Sequence, residues 1–125
     1  MKLMELPSFF IGTDIVEVER INKVLLRTGE LFKNKVFTTL EQKYCDSKSS
    51  PSIHYAGRFS AKESIIKAVK SSGYKNPIPF KNIEILPSDS GVPIVSLDFE
   101  LECECKVSIS HTDSHAIATA LYIQK

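Results

Sequence analysis

Residues 55–69, YAGRFSAKESIIKAV, carry two cations where an amphipathic helix should carry apolar side chains. At about 100° per residue, with Arg58 at zero, Ile65 falls at about 340°, Val69 at about 20°, Tyr55 at about 60°, Ile66 at about 80° and Phe59 at about 100°. Lys62 lies at about 40°, so both cations sit inside that stripe, while Ser60 and Lys67 occupy the opposite, solvated side. Like charges one turn apart repel, more strongly when partly buried. Either an anion lies between them, or both side chains lay their methylenes on the core and send their heads to water. Glu63, at about 140°, borders the stripe. Its plain role is an ion pair with Lys67 four residues on.

Asp14 favours a site. It lies in SFFIGTDIV, residues 8–16, where Phe9, Ile11 and Ile15 alternate with Phe10 and Val16, as in a strand buried on both faces. Its carboxylate should be at least half buried, and a buried charge requires a cation, several donors or a metal. Capping the following helix is the simpler alternative. Two carboxylates from separate elements, with coordination positions left open, suit Mg²⁺ held jointly with phosphate oxygens and water. Paired carboxylates and paired cations together suggest a metal-assisted phosphate site. In VSISHTDSHA, residues 107–116, His111 and His115 flank a three-residue turn. Such strand ends commonly face a cleft, although a histidine there also serves as a surface hydrogen-bonding group. His111 and Thr112 could hold a phosphate or a ribose hydroxyl. No P-loop, nucleophile elbow or dinucleotide fingerprint competes.

The elements positioning these residues are legible in outline. A helix is expected from Glu17 or Val18 to about Arg27, closed by Gly29. A shorter one covers TLEQKYC, with Thr38 or Thr39 as N-cap and Glu41 in the first turn. DSKSSPS, residues 46–52, reads as a loop before the cation-bearing helix, which SSGYKNPIPF ends. NIEIL and PIVSL flank the turn formers PSDSG, and KVSIS and AIATALYI flank HTDSH, giving two hairpins. LDFELECECKV, residues 97–107, alternates like a strand yet is rich in helix formers, so its type stays open. Strand, helices and then hairpins imply an α+β fold with a mainly antiparallel sheet packed on a long central helix.

The chain has 125 residues, 42% apolar and 25% charged, with a net charge of +1. That is the size of a single domain, expected over residues 1–125, and it lacks the basic charge common in nucleic-acid binders. No apolar run reaches membrane-spanning length, and the start, MKLMELPSFFIGTDIV, lacks a leader-like cleavage pattern. A soluble, cytoplasmic protein is expected. Cys45, Cys103 and Cys105 are an odd set without zinc-site spacing and read as reduced structural thiols.

GTDIVEVERI (12–21), VFTTLEQKYC (36–45), AGRFSAKESIIKA (56–68), SDSGVP (88–93) and VSISHT (107–112), in this order, resemble the short phosphopantetheinyl transferases of the holo-[acyl-carrier-protein] synthase family. The G-x-D-I and R-F-x-x-K-E-x-x-x-K-A patterns of that family are both intact. The resemblance implies transfer of 4'-phosphopantetheine from coenzyme A to a serine of apo acyl carrier protein, in fatty-acid biosynthesis, releasing adenosine 3',5'-bisphosphate. It puts Mg²⁺ on Asp14 and Glu63 and Lys62 on the pyrophosphate. Arg58, His111 and Thr112 would line the coenzyme A cleft. It also implies a homotrimer with clefts between subunits, and carrier docking at Arg20. Lys23 and Arg27 share that helix face with Arg20, within about 60°. A solvated basic face is the alternative there. In two places the chain departs from the family pattern. VKSSGYKN has only Gly73 where a Gly-Thr-Gly type loop is usual, and FELECECK is unusually acidic. A catalytically silent coenzyme A binder of the same fold is the competing reading, and the intact Asp14, Lys62 and Glu63 argue against it.

Overall fold

The computed structural model describes residues 8–98 and 103–124. Strand β1 (Ser8–Glu17) runs into helix α1 (Val18–Thr28), followed by α2 (Glu30–Val36), α3 (Thr39–Asp46) and the long α4 (Pro51–Ser71). A single 3₁₀ turn (Phe80–Asn82) leads into β2 (Ile83–Pro87) and β3 (Pro93–Leu97), and β4 (Cys103–His111) and β5 (His115–Gln124) complete the described chain. One antiparallel sheet has the order β1-β5-β4, and β2 and β3 form a separate antiparallel pair. The fold is thus α+β, with both expected hairpins and the long helix present.

Local chemistry explains the boundaries. Gly29, at φ 52°, takes the left-handed region between α1 and α2 that other residues avoid. Thr38 and Glu41 form a reciprocal capping box at the start of α3. Pro51 occupies the first turn of α4, where its missing N–H is harmless. The helix therefore absorbs part of the expected loop at 46–52. Helix α2 was not anticipated: Gly29 reads as a terminator, and Val36 is the one buried residue in α2. The segment left open, residues 97–107, is β-strand from Cys103 onward, and residues 99–102 lie outside those described.

Helix α4 packs on β1 and β5 of the sheet and also on α1, α3 and β2. It therefore has two buried faces. One core gathers Val16, Ile21, Phe37 and Tyr55 beneath α1–α3. The other gathers Ile65, Val69, Ile83, Ile85 and Tyr122, with Ala118 and Ala120 of β5 allowing close approach of the helix. Two expectations are corrected by this layering. Ser60 is buried instead of solvated. Strand β1 is covered on one face only: Gly12 and Val16 are buried, with Phe10 and Asp14 half-buried, whereas Phe9, Ile11 and Ile15 are exposed. Alternation sends the second set to the sheet face that no layer of the described residues covers. Burial raises the pKa of the Cys45 and Cys105 thiols to about 12, so they stay protonated. Among the described residues no helix is long and apolar enough to cross a membrane.

Candidate active site

Asp14 projects from β1 toward α4, where the half-buried Glu63 and the exposed Lys67 lie one turn apart. Lys67 Nζ donates to Asp14 Oδ1 at 3.1 Å and to the Thr13 carbonyl at 3.0 Å. The Asp14 side chain is 16% exposed and that of Lys67 52%. The ion pair at Lys67 is therefore with Asp14, not with Glu63. Asp14 does not cap α1, whose N-cap is Glu17 without a side-chain bond. Burial raises the pKa of Glu63, the Asp14 charge raises it further, and Lys67 opposes both. Two carboxylates are thus held close enough to repel. A depression of about 460 Å³, lined by Thr13, Asp14, Ile15, Lys67 and Ile117, opens beside them.

The close approach of β1 and α4 has two identifiable causes. A Cβ at Gly12 would stand 1.9 Å from the Ser64 carbonyl oxygen and 2.7 Å from the Ala68 nitrogen, so only glycine allows this contact. Two residues on, Ser60 Oγ donates to the Asp14 main-chain carbonyl at 2.9 Å.

Lys62 is placed away from the cleft, which corrects the expectation that it meets the pyrophosphate. Its side chain is 0% exposed. The ammonium donates to Glu41 Oε1 at 2.6 Å, the Val36 carbonyl at 2.7 Å and the Phe80 carbonyl at 3.1 Å. Glu41, also fully buried, accepts from the Thr38 amide at 2.9 Å and the Ile85 amide at 2.8 Å. Burial lowers the pKa of Lys62, and Glu41 opposes that shift. The pair ties α4 to α3, β2 and the 3₁₀ turn. The like-charge problem with Arg58 is resolved by sending the two cations to different neighbours.

Arg58 turns to the other cluster. Its guanidinium carbon lies 4.3 Å from the centroid of Tyr44, and Lys48 Nζ lies 4.8 Å from the same ring. His54 packs edge-on against Tyr44 at 5.8 Å and lies 6.1 Å from the His111 ring. Arg58 is 6% exposed, and among the described residues its Nε has no hydrogen-bond partner. Burial lowers the pKa of His54, followed by the charges of Arg58, Lys48 and His111. Four cationic or titratable groups therefore converge without an acidic partner among these contacts, a suitable setting for a phosphate. Thr112 is exposed, and its hydroxyl accepts from the Ser114 and His115 amides, closing the β4–β5 turn beside His111. Lys48, His54 and Tyr44 were not singled out from the sequence. His54 lies four residues before Arg58, a spacing that becomes meaningful once α4 is known to begin at Pro51.

Arg20, Lys23 and Arg27 line a shallow depression on α1 with Glu17, Glu19 and Val24. On the neighbouring face of that helix Val18 and Ile21 are buried and Leu25 packs against the core, whereas Leu26 is exposed.

Residues 10–120 match the model of the 4'-phosphopantetheinyl transferase superfamily. The chain belongs to its holo-[acyl-carrier-protein] synthase family. It is 40% identical over 116 residues to the holo-[acyl-carrier-protein] synthase of Protochlamydia amoebophila, covering 90% of this chain and 94% of that protein. To the synthase of Chlorobaculum parvum it is 43% identical over 112 residues, covering 89% and 95%. The fold matches that of an ACPS-CoA complex from Chronobacterium ammoniagenes with a TM-score of 0.83 and 30% identity, over 94% of this chain and 98% of that one. The chain is accordingly an enzyme of the phosphopantetheinyl transferase class.

The family's metal can be tested against this site. No cluster of three or more His, Cys, Asp or Glu side chains able to hold a metal occurs among the described residues. The Asp14–Glu63 pair would thus leave most positions to phosphate oxygens and water, which suits Mg²⁺ better than a metal requiring a full protein cage. Its mutual repulsion also favours a cation. The residues fit.

Proposed function

We propose that this chain, as one domain over residues 1–125, transfers 4'-phosphopantetheine from coenzyme A to a serine of apo acyl carrier protein in the cytoplasm, in a Mg²⁺-dependent step of fatty-acid biosynthesis. The observation that carries this reading is the convergence of Asp14 and Glu63, with Lys67 beside them. The serine oxygen forms a bond to the phosphorus bearing pantetheine. The bridging phosphorus–oxygen bond to the second phosphate breaks, and adenosine 3',5'-bisphosphate leaves. The serine hydroxyl gives up its proton to water or to a nearby carboxylate as the new bond forms.

Asp14 and Glu63 would hold Mg²⁺, which when bound supplies positive charge to the pyrophosphate oxygens. Lys67 neutralises charge on the leaving bisphosphate, in place of the buried Lys62. Arg58, Lys48, His54 and His111 hold another phosphate of coenzyme A, with Thr112 shaping the tip that carries His111. Positioning and charge neutralisation account for most of the rate gain.

Arg20, Lys23 and Arg27 form the docking face for the acidic carrier. The uncovered apolar face of Phe9, Ile11, Ile15 and Ile117 supports assembly of copies into the family's homotrimer. The deciding experiment incubates apo acyl carrier protein with coenzyme A, Mg²⁺ and this protein, followed by intact-mass spectrometry. Addition of one phosphopantetheine group, dependent on Mg²⁺, is the expected result. Coenzyme A binding without mass gain would make this a silent binder.

A further inference from the structure

We infer that Ser60 is a positioning residue for the divalent cation, its buried hydroxyl fixing the separation of the Asp14 and Glu63 carboxylates; this rests on the metal reading of that pair. Two like charges brought together without a cation push apart. Something other than the carboxylates must hold the strand to the helix. Ser60 Oγ reaches the main-chain carbonyl of Asp14 itself, at 2.9 Å, from a point one turn before Glu63 on α4. This bond therefore links the residue bearing one carboxylate to the helical turn leading to the other.

The Gly12 contact with Ser64 lies two residues before Asp14 and one residue after Glu63. Together the two contacts fix both the distance and the slide of β1 along α4. Lys67 does not replace them, since its long half-exposed side chain can follow a moving strand. Without the Ser60 bond, the strand carrying Asp14 is free to relax from Glu63, and a cation must first draw the two together again.

Ser64 provides an internal control. It is equally buried on the same helix, but its hydroxyl donates to the Ala61 carbonyl within that helix, at 2.7 Å. Ser60→Ala and Ser64→Ala therefore each lose one buried hydroxyl bond, and only the first loses a bond between the two carboxylate-bearing elements. Mn²⁺ alone is titrated into each protein and binding is followed by water-proton relaxation. The Mg²⁺ concentration for half-maximal transfer is measured in parallel.

Ser60→Ala should weaken Mn²⁺ binding about tenfold, the lower end for partners that orient metal ligands. It should raise the half-saturating Mg²⁺ concentration similarly, with a smaller change in kcat at saturating Mg²⁺. Ser64→Ala should bind Mn²⁺ within about twofold of wild type despite a comparable fall in Tm. If Ser60→Ala does not fold, Ser60→Cys, a weaker donor of similar volume, carries the same test. Equal Mn²⁺ affinity in the Ser60 variant and wild type overturns the inference while leaving the metal reading intact. Absence of Mn²⁺ binding by the wild type overturns both.

Discussion

Replacing Lys62 with Met should unfold the protein earlier without removing its chemistry. The substitution preserves most of the side-chain volume but leaves the Glu41 carboxylate at 0% exposure with the Thr38 and Ile85 amides and no cation. Breaking a buried pair from one side costs about 3–5 kcal/mol, because the remaining charge is uncompensated. No discount for solvent applies where neither side chain reaches water. For a domain of this size about 1 kcal/mol corresponds to ~3–5 °C, so the Tm should fall by about 10–20 °C. A typical domain has about 5–15 kcal/mol in total, so folded protein remains for assay at low temperature. The double variant Lys62→Met/Glu41→Gln removes the stranded charge and should recover more than half of the loss, giving a measurable coupling energy. Lys67→Ala supplies the contrast. Its pair with Asp14 is half-exposed and contributes at most about 1 kcal/mol to stability, yet turnover should drop about 10²–10³-fold if its charge meets the leaving group. Thermal melts and transfer rates at low temperature separate the two. A Lys62→Met protein melting within ~2 °C of wild type, with turnover lost, would show that the Lys62 ammonium acts on substrate and that the buried pair is not its role.

Asp14→Asn should abolish Mg²⁺-dependent transfer and lower the pKa of Glu63 by removing its anionic neighbour, with little loss of Tm; retained turnover at low Mg²⁺ would refute the metal pair. Arg20→Glu should raise KM for the carrier about 3–10-fold, more at low salt, and leave KM for coenzyme A unchanged; a change in the coenzyme A constant instead would move the docking face elsewhere. The folded-state pKa of His54 is lowered, so as pH falls through about 6.5 the unfolded chain takes up this proton first and stability is lost. Melts at about pH 7.5 and about pH 5.5 should therefore show a steeper acid loss for wild type than for His54→Phe, with coenzyme A reducing the difference by supplying an anion; equal slopes would exclude His54 from the cationic cluster.

The gap between sequence and structure is concentrated on α4. One helical stripe was assumed, and a helix with one buried face must expose its other side. That assumption put Ser60 in solvent and drew Arg58 and Lys62 toward a common cleft. In the fold α4 lies between the β1-β5-β4 sheet and the α1–α3 layer, a tertiary circumstance that 3.6-residue periodicity cannot encode. The elements themselves were legible where local chemistry fixes them, as in the Thr38–Glu41 capping box and the two hairpin turns. The half-burial of Asp14 was legible, because strand alternation puts that carboxylate on the same face as Gly12 and Val16, whereas the pairing of Glu63 with it was implied only by the family resemblance. Lys67 was seen and assigned to Glu63, its helical neighbour, since a cross-element partner at 3.1 Å lies outside any local pattern.

The two cations in the apolar stripe therefore have opposite explanations. Lys62 finds its anion inside the protein, in Glu41, and is satisfied by three acceptors before any ligand arrives. Among the described residues Arg58 has the Tyr44 ring against it and an Nε without a hydrogen-bond partner, and its neighbours Lys48, His54 and His111 supply no negative charge. A buried cation that is already paired contributes to the folded state; one left unpaired among its like contributes to whichever state brings the anion. On that basis Arg58→Ala should differ from Lys62→Met in both readouts. It should relieve repulsion on His54 and leave the Tm of the ligand-free protein nearly unchanged, while KM for coenzyme A rises about tenfold or more, the loss of a charge-assisted phosphate contact. Melts without ligand and transfer kinetics against coenzyme A measure the two quantities. A large fall in ligand-free Tm with an unchanged KM would show that Arg58, like Lys62, is a structural cation and that the cluster around Tyr44 does not receive the phosphate.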